Sequence, residues 1–138
     1  MRFPPRGRHD NAPTPSTLYN AIIAAGYADA CDGAIDFLHD DDIPPRAYCN
    51  PPFSKKSEFV IAACRHARRG RKILMYIPAD TTTQWFRYAL QCGATPVFLT
   101  KRTGRGGRYP AMLLLFNIDI NEINFVNIVA AAYVADPP

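Results

Sequence analysis

One tetrapeptide, Asn50-Pro51-Pro52-Phe53, has the residue types for chemistry on a planar amine. An exocyclic aromatic amine is a poor nucleophile because its lone pair is delocalised into the ring. Two acceptors aimed at its hydrogens, the Asn50 side-chain oxygen and the Pro51 carbonyl, would localise that lone pair and draw the nitrogen toward tetrahedral geometry. The ring-locked φ angles of Pro51 and Pro52 fix the direction of the carbonyl. Phe53 adds a flat face on which a base can stack, worth roughly 1–3 kcal/mol. The matching electrophile is an activated methyl group, and catalysis would be chiefly positioning and charge placement, with no strong general base. A paired base cannot enter such a pocket, so the target would be flipped out or already single-stranded. The plainer reading of the same four residues is a Pro-Pro loop that ends a strand.

Other chemistries find less support. Cys31, Cys49, Cys64 and Cys92 lie 18, 15 and 28 positions apart, so no CxxC pair exists to seed a zinc or redox site. They are expected to be reduced thiols in a cytoplasmic protein. His9, His39 and His66 stand alone, and no metal is predicted. The longest apolar runs, at 112–116 and 128–134, are far shorter than the roughly 20 residues that cross a bilayer, and no membrane contact is expected.

Charge points to a polyanionic partner. The net charge of +4 divides unevenly: residues 1–54 carry 4 basic and 7 acidic side chains, residues 55–108 carry 12 and 2, and residues 109–138 carry none and 3. The run Arg65-His66-Ala67-Arg68-Arg69-Gly70-Arg71-Lys72 has the usual look of a solvated helix face. Lys101-Arg102-Thr103-Gly104-Arg105-Gly106-Gly107-Arg108 is instead glycine-rich and reads as a basic loop. Lys55, Lys56, Arg102, Arg105 and Arg108 are the candidate phosphate contacts, with DNA as the partner.

The elements that must hold these residues follow from periodicity. The chain has 138 residues, 48% hydrophobic and 20% charged, which suits one globular domain and excludes wholesale disorder. Residues 1–13 read as a basic, Pro-rich arm, 14–119 as the domain, and 120–138 as a C-terminal segment, expected as helix and a candidate contact between two copies of the chain. Ser16 or Thr17 caps a predicted helix carrying Leu18, Ile22 and Ile23, ended by Gly26. Residues 27–33 form a strand-to-turn candidate, and Arg46-Ala47-Tyr48-Cys49 a short strand stopped by Asn50-Pro51-Pro52. An amphipathic helix is expected over 54–69, a doubly covered strand over 72–77, a helix over 81–91, and strands over 95–100 and 111–116. Strands alternating with helices imply a compact three-layer α/β sandwich with a parallel-rich sheet. In such a sheet ligands gather at the carboxyl ends of the strands, where Asn50 falls.

At this level the residues resemble a known family. Thr14-Pro15, Asp29-Ala30-Cys31, Tyr48-Cys49-Asn50-Pro51-Pro52-Phe53 and Ile77-Pro78-Ala79-Asp80-Thr81-Thr82-Thr83-Gln84-Trp85-Phe86, in that order, look like the small phage-type DNA N6-adenine methyltransferases. The resemblance runs from about 14 to 116. It implies a Rossmann-like fold and an S-adenosylmethionine-dependent enzyme methylating adenine in DNA, with viral examples among its likes. By that resemblance Asn50, Pro51, Pro52 and Phe53 form the catalytic loop, Thr14 and Pro15 lie in the cofactor-binding amino-terminal loop, and Asp29 ends the first strand facing the cofactor's methionine part. Cys31 and Asp32 fall in the cofactor-side turn, which offers only Gly33 where many methyltransferases are glycine-rich. The ribose-binding acid is assigned to Asp32 or to one of Asp40, Asp41 and Asp42. Asp80 has a site role or caps a helix, and Trp85 is a core anchor or a contact. The alternatives are a nucleic-acid-binding module on the same fold without turnover, and methylation of cytosine N4 or of RNA.

Overall fold

The computed structural model describes residues 14–99, 110–122 and 128. Residues 1–13, expected as an arm, Arg102, Arg105 and Arg108, expected in a loop, and most of the tail expected as helix lie outside the described residues. Among the described residues the bounded elements run in the order α1 (Ser16–Ala24), β1 (Ala28–Asp29), β2 (Arg46–Cys49), α2 (Lys56–Arg68), β3 (Lys72–Pro78), α3 (Gln84–Gln91), β4 (Thr95–Phe98) and β5 (Ala111–Phe116). A 3-10 turn, Phe53–Lys55, leads into α2.

The strands make one sheet in the order β1-β2-β3-β5-β4. β1 pairs with β2, and β2 with β3, in parallel. β5 runs antiparallel to both β3 and β4. The parallel-rich expectation therefore holds for one half of the sheet and is corrected in the other. The physical reason lies in the order of the strands: β4 and β5 are consecutive in the chain and adjacent in the sheet, an arrangement in which antiparallel pairing needs no crossover. A uniformly buried run such as Ala111–Phe116 carries no mark of its direction. The alternation of strand and helix also lapses between β1 and β2, where residues 30–45 form turns and bends rather than a helix.

Period-2 alternation divides the buried strand residues between two layers. Ala47, Cys49, Ile73, Met75, Ile77, Met112, Leu114 and Phe116 pack with Phe59, Val60, Ala63 of α2 and Trp85, Phe86, Ala89 of α3. Tyr48, Leu74, Tyr76, Leu113 and Leu115 pack on the other face with Leu18 and Ile22 of α1 and with Ile128, which is helical. The three layers are thus helices, sheet and helix.

Helix boundaries follow local chemistry. Pro15 occupies the N-cap position of α1 without a side-chain cap, so Ser16 and Thr17 open the helix rather than cap it. Gly26, at φ 94°, takes the left-handed conformation that ends it. α3 starts at Gln84, three residues later than expected, because the Thr83 hydroxyl accepts the Phe86 N–H and caps the helix there.

Candidate active site

The carboxyl ends of β1 and β2 lie side by side, with Asp29 paired to Tyr48. A cleft of about 190 Å³ opens there, lined by Thr14, Asp29, Cys31, Asp32 and Asn50 together with Tyr19 and Tyr48. Five residues singled out in the sequence for cofactor or catalysis, from three segments up to 36 positions apart, meet at this one place.

Asp29 is anchored at both oxygens. Its Oδ1 accepts the Cys31 backbone N–H at 2.9 Å, and its Oδ2 accepts the Tyr19 hydroxyl at 3.2 Å. The first contact turns the chain sharply after β1; the second ties that turn to α1. Asp32 is exposed at the rim, its Oδ1 accepting the Ala34 N–H at 2.9 Å. Among the other acids nominated for the ribose, Asp41 pairs with Arg65 and Arg69 and Asp42 with Arg71, while Asp40 accepts the Asp36 N–H. Those three are engaged elsewhere, and Asp32 alone of the four lines the cleft.

Asn50 continues β2 by one residue, and its Nδ2 donates to Thr14 Oγ1 at 3.2 Å. Thr14 Oγ1 is also in short hydrogen-bond contact with the Tyr48 hydroxyl. Tyr48 stands edge-on to Tyr19, centroids 5.7 Å apart. Burial pushes the Tyr48 phenol well above its ordinary range, with Asp29 adding to the shift and the Thr14 contact opposing it. Burial and then the Asp29 carboxylate raise Tyr19 as well. Both phenols therefore remain neutral hydroxyls through the physiological range.

Pro51 and Pro52 are buried, and Phe53 is half-buried at the start of the 3-10 turn. Lys56 Nζ sits 5.2 Å from the Phe53 centroid and 5.9 Å from that of Trp85, placing a cation beside the loop. Lys55 faces Glu58 at 3.7 Å. Trp85, 7% exposed, belongs to the core. Asp80 accepts from the Thr82 N–H and hydroxyl, which hold its carboxyl below the usual range; this turn precedes the helix, and the cap itself is Thr83. Pro15 is outside the cleft lining, at the start of α1.

Cys31 and Cys49 form a disulfide, their Cα atoms 5.2 Å apart. The expectation of four reduced thiols is corrected for this pair; Cys64 and Cys92 are free. The 18-residue spacing conceals the pairing, which arises because parallel neighbours place the turn after Asp29 beside the end of β2. The bond ties the acid-bearing turn to the residue before Asn50. No group of three or more metal-ligating side chains gathers among the described residues, and no helix there is long and apolar enough to cross a membrane.

Tyr19 and Tyr48 were not singled out as site residues. Strand periodicity could have revealed Tyr48, because positions 48 and 50 fall on the same face of an extended chain. Tyr19 has no such signal; only the packing of α1 beside β1 brings it to Asp29.

Residues 35–129 match the family model described as DNA N-6-adenine-methyltransferase (Dam). No curated protein and no solved structure matches the chain. The matched segment includes Asn50, Pro51, Pro52 and Phe53 but begins after Asp32, so it does not reach Thr14, Asp29, Cys31 or Asp32.

Proposed function

The chain belongs to the DNA N-6-adenine-methyltransferase (Dam) family, and from that premise we propose that it transfers a methyl group from S-adenosylmethionine to the N6 amine of adenine in DNA, on a Rossmann-like fold. The observation that carries this reading is the presence of Asn50 and two carboxylates in one cleft at the carboxyl ends of parallel strands. The donor set fits the cofactor by charge: Asp29 and Asp32 offer carboxylates to an ammonium group and to ribose hydroxyls. When bound, the cofactor supplies an electrophilic methyl group. Asn50 Oδ1 and the Pro51 carbonyl accept the two amine hydrogens and localise the nitrogen lone pair. Phe53 stacks on the base, and Lys56 beside it meets the backbone phosphates. Lys55 and the loop residues Arg102, Arg105 and Arg108 extend that phosphate contact.

Incubation with methyl-labelled cofactor and separate DNA and RNA pools, followed by nucleoside analysis, tests the reading. Label in N6-methyladenine from DNA is the expected result. Label in cytosine or RNA would replace the substrate, and DNA binding without incorporation would make the chain a binding module. Affinity for DNA should fall with salt at a log-log slope of about −0.9 per phosphate neutralised on duplex or about −0.7 on single strands.

A further inference from the structure

An asparagine can accept hydrogens from a reacting amine only if its amide is held with a known polarity. Rotation about χ2 otherwise exchanges Oδ1, an acceptor, with Nδ2, a donor, at little cost. Holding that polarity requires a neighbour that accepts and does not donate. A threonine hydroxyl by itself does not qualify, since it does both.

The cleft supplies the missing constraint. Thr14 Oγ1 accepts the Asn50 Nδ2–H at 3.2 Å and is simultaneously against the Tyr48 hydroxyl. If the Thr14 proton is given to Tyr48 oxygen, only lone pairs of Thr14 face Asn50, and the amide must turn its nitrogen to Thr14. Tyr48 is suited to be the fixed end of this chain. Its side chain is 1% exposed, lies between the sheet and α1, and is propped edge-on by Tyr19, which Asp29 holds at 3.2 Å. Hydrogen bonds aligned in one direction polarise one another, which strengthens the arrangement.

We infer that Tyr48 and Thr14 are positioning residues that set the polarity of the Asn50 amide, so that its oxygen serves as the acceptor for the amine. The inference deepens the methyltransferase reading and rests on it for the identity of that amine. Neither residue touches the reacting atoms; each acts through Asn50. The relay also joins the amino-terminal residue Thr14, assigned to the cofactor side, to the catalytic loop across 36 positions of sequence.

Tyr48→Phe removes the hydroxyl and keeps the buried ring. With donor and DNA saturating, it should lower kcat about tenfold, with KM for DNA and the calorimetric Kd for S-adenosylhomocysteine within about twofold of wild type. Thr14→Val should lower kcat likewise, and Thr14→Ser, which restores a hydroxyl, should recover most of the rate. Wild-type kcat in Tyr48→Phe, or a loss confined to KM or Kd, would overturn the inference. A readout free of turnover is the pair of Asn50 side-chain amide proton resonances, identified by their disappearance in Asn50→Asp. They should shift in Thr14→Val and in Tyr48→Phe and return in Thr14→Ser; resonances indifferent to both substitutions also overturn it. Wild-type protein that methylates no DNA, with the resonances responding as expected, would sink the proposed reaction and leave the amide relay standing.

Discussion

Both ends of the sheet carry hydrogen-bonding side chains, and they use them in opposite ways. At the carboxyl ends of β1 and β2, side chains bond mainly to one another: Tyr19 to Asp29, Asn50 to Thr14, Thr14 to Tyr48. At the other end, where β2 and β3 begin and β5 finishes, they bond largely to backbone. Arg65 donates to the Leu38 carbonyl at 2.8 Å, Arg71 to that of Ile43 at 3.1 Å, and Lys72 to that of Asn117 at 2.8 Å. Asn117 donates in turn to the carbonyls of Ala67 and Arg71 at 2.8 and 2.9 Å. The basic run 65–72 is thereby partly consumed as a staple, with Asp41 and Asp42 facing Arg65, Arg69 and Arg71. The lesson is that a charge run in sequence says little about binding until its partners are known. Cations that satisfy orphan carbonyls hold a fold together; the carboxylates and the amide at the opposite end line an open cleft instead.

This contrast can be broken by substitution. Its largest test is at the cleft end, where Cys31–Cys49 closes 18 residues of chain. Replacing both with Ser should cost about 3 kcal/mol by loop entropy, read by denaturant unfolding, and alkylation with mass spectrometry should count two free thiols in wild type. An unchanged midpoint would mean that the cleft end is held by its hydrogen bonds alone. Next is Asn50→Ala, expected to lower methyl transfer roughly 10²-fold or more with cofactor affinity within a few-fold, because an acceptor for the reacting amine acts mainly in the transition state. Asn50→Asp should be milder, since it keeps an acceptor, and retained turnover in Asn50→Ala would remove the residue from the chemistry.

The opposite end should respond in stability and not in rate. Asn117 has φ 60° and spans two carbonyls. Asn117→Ala should lower stability by about 2 kcal/mol through lost hydrogen bonds and left-handed strain, with kcat intact, while Asn117→Gly should recover the strain component. A fall in kcat at unchanged stability would erase the division between the ends. Returning to the cleft, Asp29→Ala should weaken calorimetric binding of S-adenosylhomocysteine about tenfold, as expected for loss of one charge-assisted contact. Full affinity in that variant would move the ammonium site away from β1.

The smallest effect is a pH dependence. His66 is fully buried, with Nε2 2.7 Å from the Phe37 carbonyl, and burial lowers its pKa below the ordinary 6.5. The unfolded chain therefore takes up the proton first as pH falls. Stability is held above pH 6.5 and declines below it until the folded imidazole also protonates. His66→Gln, which can still donate to Phe37, should flatten this decline between pH 7 and 5. An equal decline in both proteins would assign the acid sensitivity to other groups.

The site was legible where local rules apply. That Asn50 falls at the sheet's carboxyl edge follows from a strand ended by Pro-Pro, whereas the place of Asp29 in the cleft is an expectation of the family resemblance and not of any local rule. The place of Tyr19, the disulfide and the fact that Asp32 lines the cleft while Asp40, Asp41 and Asp42 do not were not legible, since each depends on which distant segment becomes a neighbour. Thr83 was missed as the cap of α3 for a smaller reason: three consecutive threonines give equivalent local signals, and only the Asp80 turn selects among them.

By itself the sequence determined the elements. Apolar runs at 72–77 and 111–116, helical spacing in α1 and α2, and stops at Gly26 and Pro51 are all local consequences of side-chain period and backbone freedom. Family membership is likewise a property of the residue string over 35–129. Tertiary structure alone decided the direction of β5, the oxidation of Cys31 with Cys49, the pairing of acidic loop with basic helix, and the meeting of Thr14, Tyr19, Tyr48 and Asn50. The reason is common to all four. Strand direction, disulfide geometry and side-chain hydrogen bonds depend on distances of a few ångströms between residues far apart in the chain. Those distances are set by the packing of the whole core and not by any window of sequence.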